Sequence, residues 1–351
     1  MPALPPRRTE HVVVKILLVK LSSLGDVVHA LPVLQDLRAA LPGAQIDWVV
    51  EKAFASLLAR SPALQRIIPC EIRRWSKSPL AAATRSEWRA FKAQLQQESY
   101  DAVIDLQGLS KSALVARLAR LAPGGKRYAL ANQTEGSGYE APTRWVADVA
   151  IRIAPHTAAV QRSRELVAQA LGYAFTGAPD FGLNRPLAHE GRSQAAPEKR
   201  AKTVAFVHGT SRADKEWPQA HWVELGQRLL AAGYRIALPH GNARELATSH
   251  ALADALNQHQ PASAIVWPQL ALDALTDELA QCSGVIGVDS GVSHIAVALD
   301  LPHVQIYNFD TAWRTGPESA GRQVSVFAQP TPGVEAVWQA WLGCLATLGA
   351  P

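Results

Sequence analysis

Two α/β units, each doubly wound on a parallel sheet and facing the other across a central cleft, are the fold class this sequence predicts. The first ground is size: 351 residues, 48% of them apolar, suffice for two packed domains. The second is order, because short apolar runs alternate with segments of helical apolar spacing, and parallel strands need helical crossovers. The third is a lapse of that alternation around residues 174–202, which are rich in Pro, Gly, Ala and charge. The expected boundaries are a first domain at 1–175, a linker at 176–202, a second domain at 203–330, and a terminal helix at 331–351 packing back on the first domain.

Residues 12–20 (VVVKILLVK) read as a strand, the loop Ser22-Ser23-Leu24-Gly25-Asp26 follows, and helical spacing runs on to Leu41. Next come a strand at 46–50, a helix at 54–60, a short strand at 67–69, a helix at 86–98, a strand at 102–106 and a helix at 111–121. In the second unit, strands fall at 203–208, 235–239, 284–288 and 303–307. Helices fall at 221–232, 245–258, 272–282 and 292–299, and a last one at 334–348 carries Trp338 and Trp341. In such sheets ligands bind at the carboxyl ends of the strands, where loops from both units converge.

Composition narrows the function classes. Cys70, Cys282 and Cys344 form no CxxC pair, which points to a reducing, cytoplasmic setting. No apolar run approaches the roughly 20 residues that span a bilayer, and residues 1–11 lack a signal-peptide core. Residues 1–180 hold 23 Lys and Arg against 15 Asp and Glu, and the remainder holds 12 against 15, so the halves carry about +8 and −3. A basic first half suggests an anionic partner there, whether nucleic acid, a phosphorylated ligand or a membrane surface, or else an ordinary solvated face.

Three loops at strand ends carry the chemistry. In the first, Gly25 permits a close turn and Asp26 stands at a helix start. A carboxylate there either caps the helix or, if it reaches an acceptor hydroxyl, serves as a general base. In the second, Asp289-Ser290-Gly291-Val292-Ser293-His294 follows an apolar strand and opens a helix. Small residues and the helix dipole suit a diphosphate, and His294 could donate to it. The third, His208-Gly209-Thr210-Ser211-Arg212-Ala213-Asp214-Lys215, offers two hydroxyls and the Lys215 cation for a diphosphate leaving group. The sequence holds no HExxH, no carboxylate pair at metal-binding spacing and no Cys/His cluster, so no metal and no cofactor are expected. Glu245 opens a helix, where it either complements the dipole or accepts from ribose hydroxyls. Arg73 and Arg74 in IRRW, with Gln107 and Lys111 in DLQGLSKS, place cations and amides at strand ends of the first unit.

The segments VKLSSLGDVVHALPVL, IDWVVE, IRRWSK, YDAVIDLQGLSKSAL, HGTSRADKEWP and GVDSGVSHIAVAL together resemble the heptosyltransferases of glycosyltransferase family 9. The resemblance runs from about Lys15 to the terminal helix. It implies the GT-B fold, two Rossmann-like domains with an acceptor-binding first domain and an ADP-heptose-binding second one. SSLGDVVHALP, IRRW and DLQGLSKSA look more like the members that add the first heptose than those that add the second. The implied reaction is inverting transfer of heptose from ADP-heptose to Kdo of Kdo-lipid A, by a monomer peripheral to the anionic cytoplasmic face of the inner membrane.

By the same resemblance, Asp26 is the catalytic base and Lys215 stabilises the departing ADP. Thr210, Ser211, Ser290, Gly291 and His294 would hold phosphate, Glu245 the ribose, and Asp289 the donor sugar or its loop. Leu270 would lie near the adenine, where the family often has Met, and Ser211 and Ser290 stand where it often has Thr. Ser22 and Ser23 would line the cleft beside Asp26, while Arg73, Arg74, Gln107 and Lys111 would face the acceptor's carboxylates and phosphates. Two other classes remain open at this stage. A nucleotide-dependent oxidoreductase would want GxGxxG after the first strand, where this chain has one glycine. A nucleic-acid or membrane-surface module would fit the basic half, but no nucleic-acid motif appears.

Overall fold

The computed structural model describes residues 13–183, 202–318 and 321–347. The chain begins β1 (Lys15–Val19), α1 (Leu24–Ala30), α2 (Pro32–Ala40), β2 (Gln45–Glu51), α3 (Ala55–Leu58), β3 (Leu64–Cys70) and α4 (Ile72–Trp75). It continues with α5 (Ala82–Leu95), β4 (Ser99–Asp105), α6 (Ser110–Leu118), β5 (Arg120–Leu130), α7 (Pro142–Val146), β6 (Val149–Ile151) and α8 (Ala159–Leu171). The second run holds β7 (Thr203–Val207), α9 (Gln219–Ala231), β8 (Arg235–Leu238), α10 (Ala243–His259), β9 (Ala264–Val266) and α11 (Leu272–Ala280). Then come β10 (Gly284–Val288), α12 (Gly291–Ala298), β11 (His303–Tyr307), α13 (Ala312–Thr315), β12 (Gln323–Phe327) and α14 (Val334–Ala346).

Each run closes on one six-stranded sheet, ordered β3-β2-β1-β4-β5-β6 in the first and β12-β11-β10-β7-β8-β9 in the second. The central pairings are parallel in both. Helices cover both faces, so the middle strands are apolar throughout instead of alternating: Ile16, Leu17, Leu18 and Val19 are all buried, as are all five residues of β10. Strand order reverses between β1 and β4 in the first sheet, and between β7 and β10 in the second. The loops leaving those strands at their carboxyl ends open into the crevice of a doubly wound sheet. They are the loops that lead into Asp26 in the first turn of α1 and that hold Gln107, Lys215 and Asp289.

Several expected elements shift for local reasons. The helix expected through Leu41 breaks in two at Pro32, which opens α2 where its missing N–H costs nothing. The helix expected to reach residue 121 ends at Leu118, and Arg120 already begins β5. No element was expected over 122–173. β5, β6 and α8 lie there, and α8 buries Arg162 and Arg164, which blurs its apolar stripe. Of the linker expected at 176–202, residues 184–201 lie outside the described residues.

The described part of the terminal helix packs in the second domain, where the expectation had set it on the first. α14 lies against β11, β12 and α9, with Val337, Trp341 and Cys344 in the second core. Gly284 on β10 makes room for it, since a Cβ there would stand 2.6 Å from the Trp341 ring.

The second core also buries His303 and His208, and burial holds both imidazoles down to about 4 from the usual 6.5. Because the unfolded chain binds these protons more readily, stability is fully present above pH 6.5 and is lost as pH falls toward 4. The linkage is worth about 3 kcal/mol for each histidine. Equilibrium unfolding followed by fluorescence of the buried Trp217, Trp222 and Trp341 should therefore give midpoints that fall steadily from pH 6.5 to 4.5. A flat profile over that window would show that the two histidines are not held neutral.

Candidate active site

The site begins with a buried cation. Lys20 follows β1 directly with 2% exposure, donates through Nζ to the Leu106 carbonyl at 3.1 Å, and stands 3.6 Å from Asp26 Oδ1. Asp26 sits in the first turn of α1, where its Oδ2 accepts from the backbone N–H of Ser23 at 3.0 Å and from its hydroxyl at 2.8 Å. Burial would raise this carboxyl, but Lys20 and the two Ser23 bonds outweigh it and hold Asp26 well below the usual carboxylate range. The capping role read from the sequence is thus realised on one oxygen, while the other faces an ammonium.

The loop around Asp26 is fixed from the neighbouring strand. Gln107, beyond the end of β4, accepts through Oε1 from the N–H groups of Leu21 and Ser22 at 3.0 and 3.2 Å. Ser22 Oγ accepts from Arg73 Nη2 at 2.9 Å, and the Arg73 backbone N–H donates to Glu51 at 3.2 Å. Lys111 is exposed in the first turn of α6. Arg74 does not join this group: its guanidinium is bound by Glu71 at 2.8 Å and by Glu87 on the exposed surface. Two adjacent arginines on the four-residue α4 project in different directions, which their sequence spacing does not reveal.

Across the junction, Asp289 is the hub of the second domain. Lys215 Nζ donates to its Oδ2 at 2.5 Å, His294 Nε2 lies 3.4 Å from its Oδ1, and the Thr210 hydroxyl donates to its backbone carbonyl at 3.3 Å. Burial opposes ionisation of Asp289, yet His294 and Lys215 hold it well below the usual range. Ser290 is the residue before α12 and Gly291 its first. Glu245 is in the first turn of α10, accepting from Asn242 Nδ2 at 2.8 Å and from the Gly241 N–H at 2.7 Å. Gly209 lacks the Cβ that would stand 2.5 Å from this carboxylate.

The two halves meet where α1 and α12 bring their amino ends together. A Cβ on Gly291 would lie 2.8 Å from Leu24, and one on Gly25 would lie 2.8 Å from His294 Cδ2. The rings of His29 and His294 pack at 4.2 Å behind this contact. On one side of it opens a cleft of about 620 Å³, a size typical of ligand sites. Ser23, Gly25, Thr210, Ser211, Glu245, Leu270, Ser290 and Gly291 line it, so residues from both domains share one cavity. Backbone N–H groups at two helix starts give it the character of an anion site, while Ser22, Asp26, Lys215, Asp289 and His294 are not among the residues that line it, and His294 borders a separate cavity with His29. Among the described residues, no group of three or more His, Cys, Asp or Glu side chains could hold a metal ion.

Sequence reasoning missed the charges behind the site. Arg162 on α8 is buried and donates to the Thr134 hydroxyl at 2.9 Å, and its field reaches Asp26 and Lys20. Burial pushes Asp105, beside Lys20, up to about 6. The one signal for this layer was Lys20 itself, a lone cation closing an apolar run, since a buried lysine is rare without a partner.

Residues 88–336 match the family model described as glycosyltransferase family 9 (heptosyltransferase). Lipopolysaccharide heptosyltransferase 1 of Pseudomonas aeruginosa is 39% identical over 300 residues, covering 84% of this chain and 78% of that one. Its counterpart in Escherichia coli K12 is 38% identical over 84% of this chain and 87% of its own. Lipopolysaccharide heptosyltransferase 2 of the same organism is 27% identical over 84% and 82%. Among solved structures, the E. coli heptosyltransferase WaaC with ADP superposes with a TM-score of 0.81 at 34% identity, over 93% of this chain and 98% of that one.

The junction yields a substitution with opposed expectations. In a helix, Gly→Ala normally stabilises by roughly 0.5–1 kcal/mol. At Gly25 the added methyl meets the His294 ring, and Gly25→Ala is expected instead to cost about 1–3 kcal/mol, as overpacking does. Denaturant titration distinguishes the two, and a Gly25→Ala variant more stable than the parent would mean that α1 and α12 do not pack in solution.

Proposed function

Since this chain belongs to glycosyltransferase family 9 and is a heptosyltransferase of the GT-B fold, we propose that it takes heptose from ADP-heptose and adds it to Kdo of Kdo-lipid A in the lipopolysaccharide inner core. The observation that carries this reading is the shared cleft, in which the Asp26 loop and the Ser290–Gly291 helix start face one another. The first-heptose role rests on identities of 38 and 39% to heptosyltransferase 1, against 27% to heptosyltransferase 2.

In this reading ADP lies on the second domain. Leu270 and its neighbours Leu272 and Leu275 receive the adenine, Glu245 accepts from the ribose, and the diphosphate meets Thr210, Ser211, Ser290 and Gly291, with Lys215 and His294 turning to it from their pairing with Asp289. Asp289 holds Lys215 and His294 in place until an anion competes for them. The acceptor hydroxyl attacks the anomeric carbon, the bond from that carbon to the phosphate oxygen breaks, and the pair of electrons leaves with ADP. Asp26 takes the hydroxyl proton. Held so far down by Lys20, it is a weak base at rest, so the proton moves late, once bond formation has made the hydroxyl acidic. Arg73 and Lys111 meet acceptor carboxylate and phosphate, with Gln107 setting the loop that carries Ser22 and Ser23.

No cofactor is needed for this chemistry, because Lys215 and the helix start supply the positive charge a divalent ion would otherwise bring. Peripheral contact with an anionic membrane, action as a monomer and a cytoplasmic location complete the proposal. Among the described residues, no helix is long and apolar enough to cross a membrane.

Asp26→Asn separates cap from base. Asparagine keeps an oxygen that can accept from Ser23 but leaves the buried Lys20 without its carboxylate, so the thermal midpoint should fall while ADP binding stays parental and kcat falls by roughly 10²–10⁴-fold. A folded, ADP-binding Asp26→Asn variant that turns over within a few-fold of the parent would remove Asp26 from the chemistry.

Lys215→Ala should lower kcat on the order of 10²–10³-fold, with parental transfer undiminished in EDTA. Loss of parental activity on chelation, restored by magnesium or manganese, would assign the leaving-group charge to a metal instead.

A further inference from the structure

Beside the acceptor residues lies a surface that the transfer chemistry does not use. α6 starts just beyond β4, at the same sheet end as Asp26, and exposes Lys111, Leu114 and Arg117 at three-residue spacing along one face. α7 packs alongside and exposes Arg144 and Trp145. Trp145 is 72% exposed and Leu114 47%, an unusual cost for large apolar side chains on two adjoining helices. Neither helix carries an acidic residue. The acids at their borders are engaged, Glu140 by the backbone and hydroxyl of Ser110, and Asp148 by the backbone N–H of Arg127.

We propose that the exposed face of α6 and α7 is the surface on which this protein rests on an anionic lipid bilayer, with Trp145 and Leu114 entering the interface and Arg117 and Arg144 meeting lipid phosphates. The assignment rests on the reading that the acceptor is a lipid. Two observations favour a bilayer as the occupant. Exposed tryptophan, leucine and arginine without intervening acids match the apolar and charged layers that a membrane interface presents together. The face is also continuous with the acceptor site, because Lys111 begins it and shares the electrostatic neighbourhood of Glu51 with Arg73, which holds Ser22. An acceptor anchored in the bilayer by its acyl chains would then present its sugar to the cleft without leaving the lipid.

The test uses the full chain with phosphatidylcholine vesicles, with and without phosphatidylglycerol. The parent should co-sediment only with the anionic vesicles, Arg117→Gln and Arg144→Gln should each weaken that partition about fivefold, and Trp145→Ala should weaken it severalfold. All three variants should keep parental transfer to a deacylated, water-soluble Kdo acceptor while losing transfer to Kdo-lipid A in vesicles. Unchanged partition overturns the proposal, as does a Trp145→Ala variant whose only change is a lower mass by light scattering, which would make the face a contact between copies. If the parent transfers to neither Kdo acceptor, the acceptor reading fails, and vesicle partition alone decides the face.

Discussion

The cleft depends on the approach of two helix starts, α1 from the first domain and α12 from the second, at a distance only glycine permits. Gly25 abuts the His294 ring and Gly291 abuts Leu24. A side chain at either position would have to push the His294 ring or the Leu24 side chain aside, at a cost in the packing that brings the cleft's two walls together. The same contact gathers the positive ends of two helix dipoles on one volume, so the electrostatics of the site follow from its packing.

Two carboxylates, the half-buried Asp26 and the buried Asp289, offset that positive field, and each is tied to a cation of its own domain, Lys20 and Lys215. The pairs differ in exposure and so in what they can do. Lys20 is sealed under the sheet end and bonded to a backbone carbonyl, which makes it a fixed charge. Lys215 stands on a short turn and its side chain is partly exposed, so its pairing with Asp289 is open to solvent. The desolvation that would neutralise either carboxyl is outweighed only because the partner lies within a few ångströms.

The basic character of the first half is spread over several tasks. Some cations are structural: Arg164 is locked to Asp36 at 2.8 Å, Arg66 to Asp47, and Arg162 to Thr134. Others stand at the first domain's side of the site, Arg73 on Ser22 and Lys111 exposed at the start of α6. Net charge alone could not apportion these roles, since it counts a buried pair and a solvated guanidinium alike.

What the sequence determined by itself was whatever depends on neighbours along the chain. The alternation of apolar runs with helical spacing specified two doubly wound sheets, and Gly, Ser and Asp after the runs marked the loops at their mouths. Thr210, Ser290 and Gly291, which line the cleft, were legible because helix starts and strand ends leave local signatures. Tertiary structure alone decided which side chains face each other. It turned Arg74 toward Glu71 and Glu87, spent the Gln107 amide on a loop, placed Lys20 and Arg162 behind Asp26, and laid α14 on the second sheet instead of the first. A side chain's direction, its desolvation and its distant partners are set by packing between segments far apart in sequence, and no local pattern encodes them.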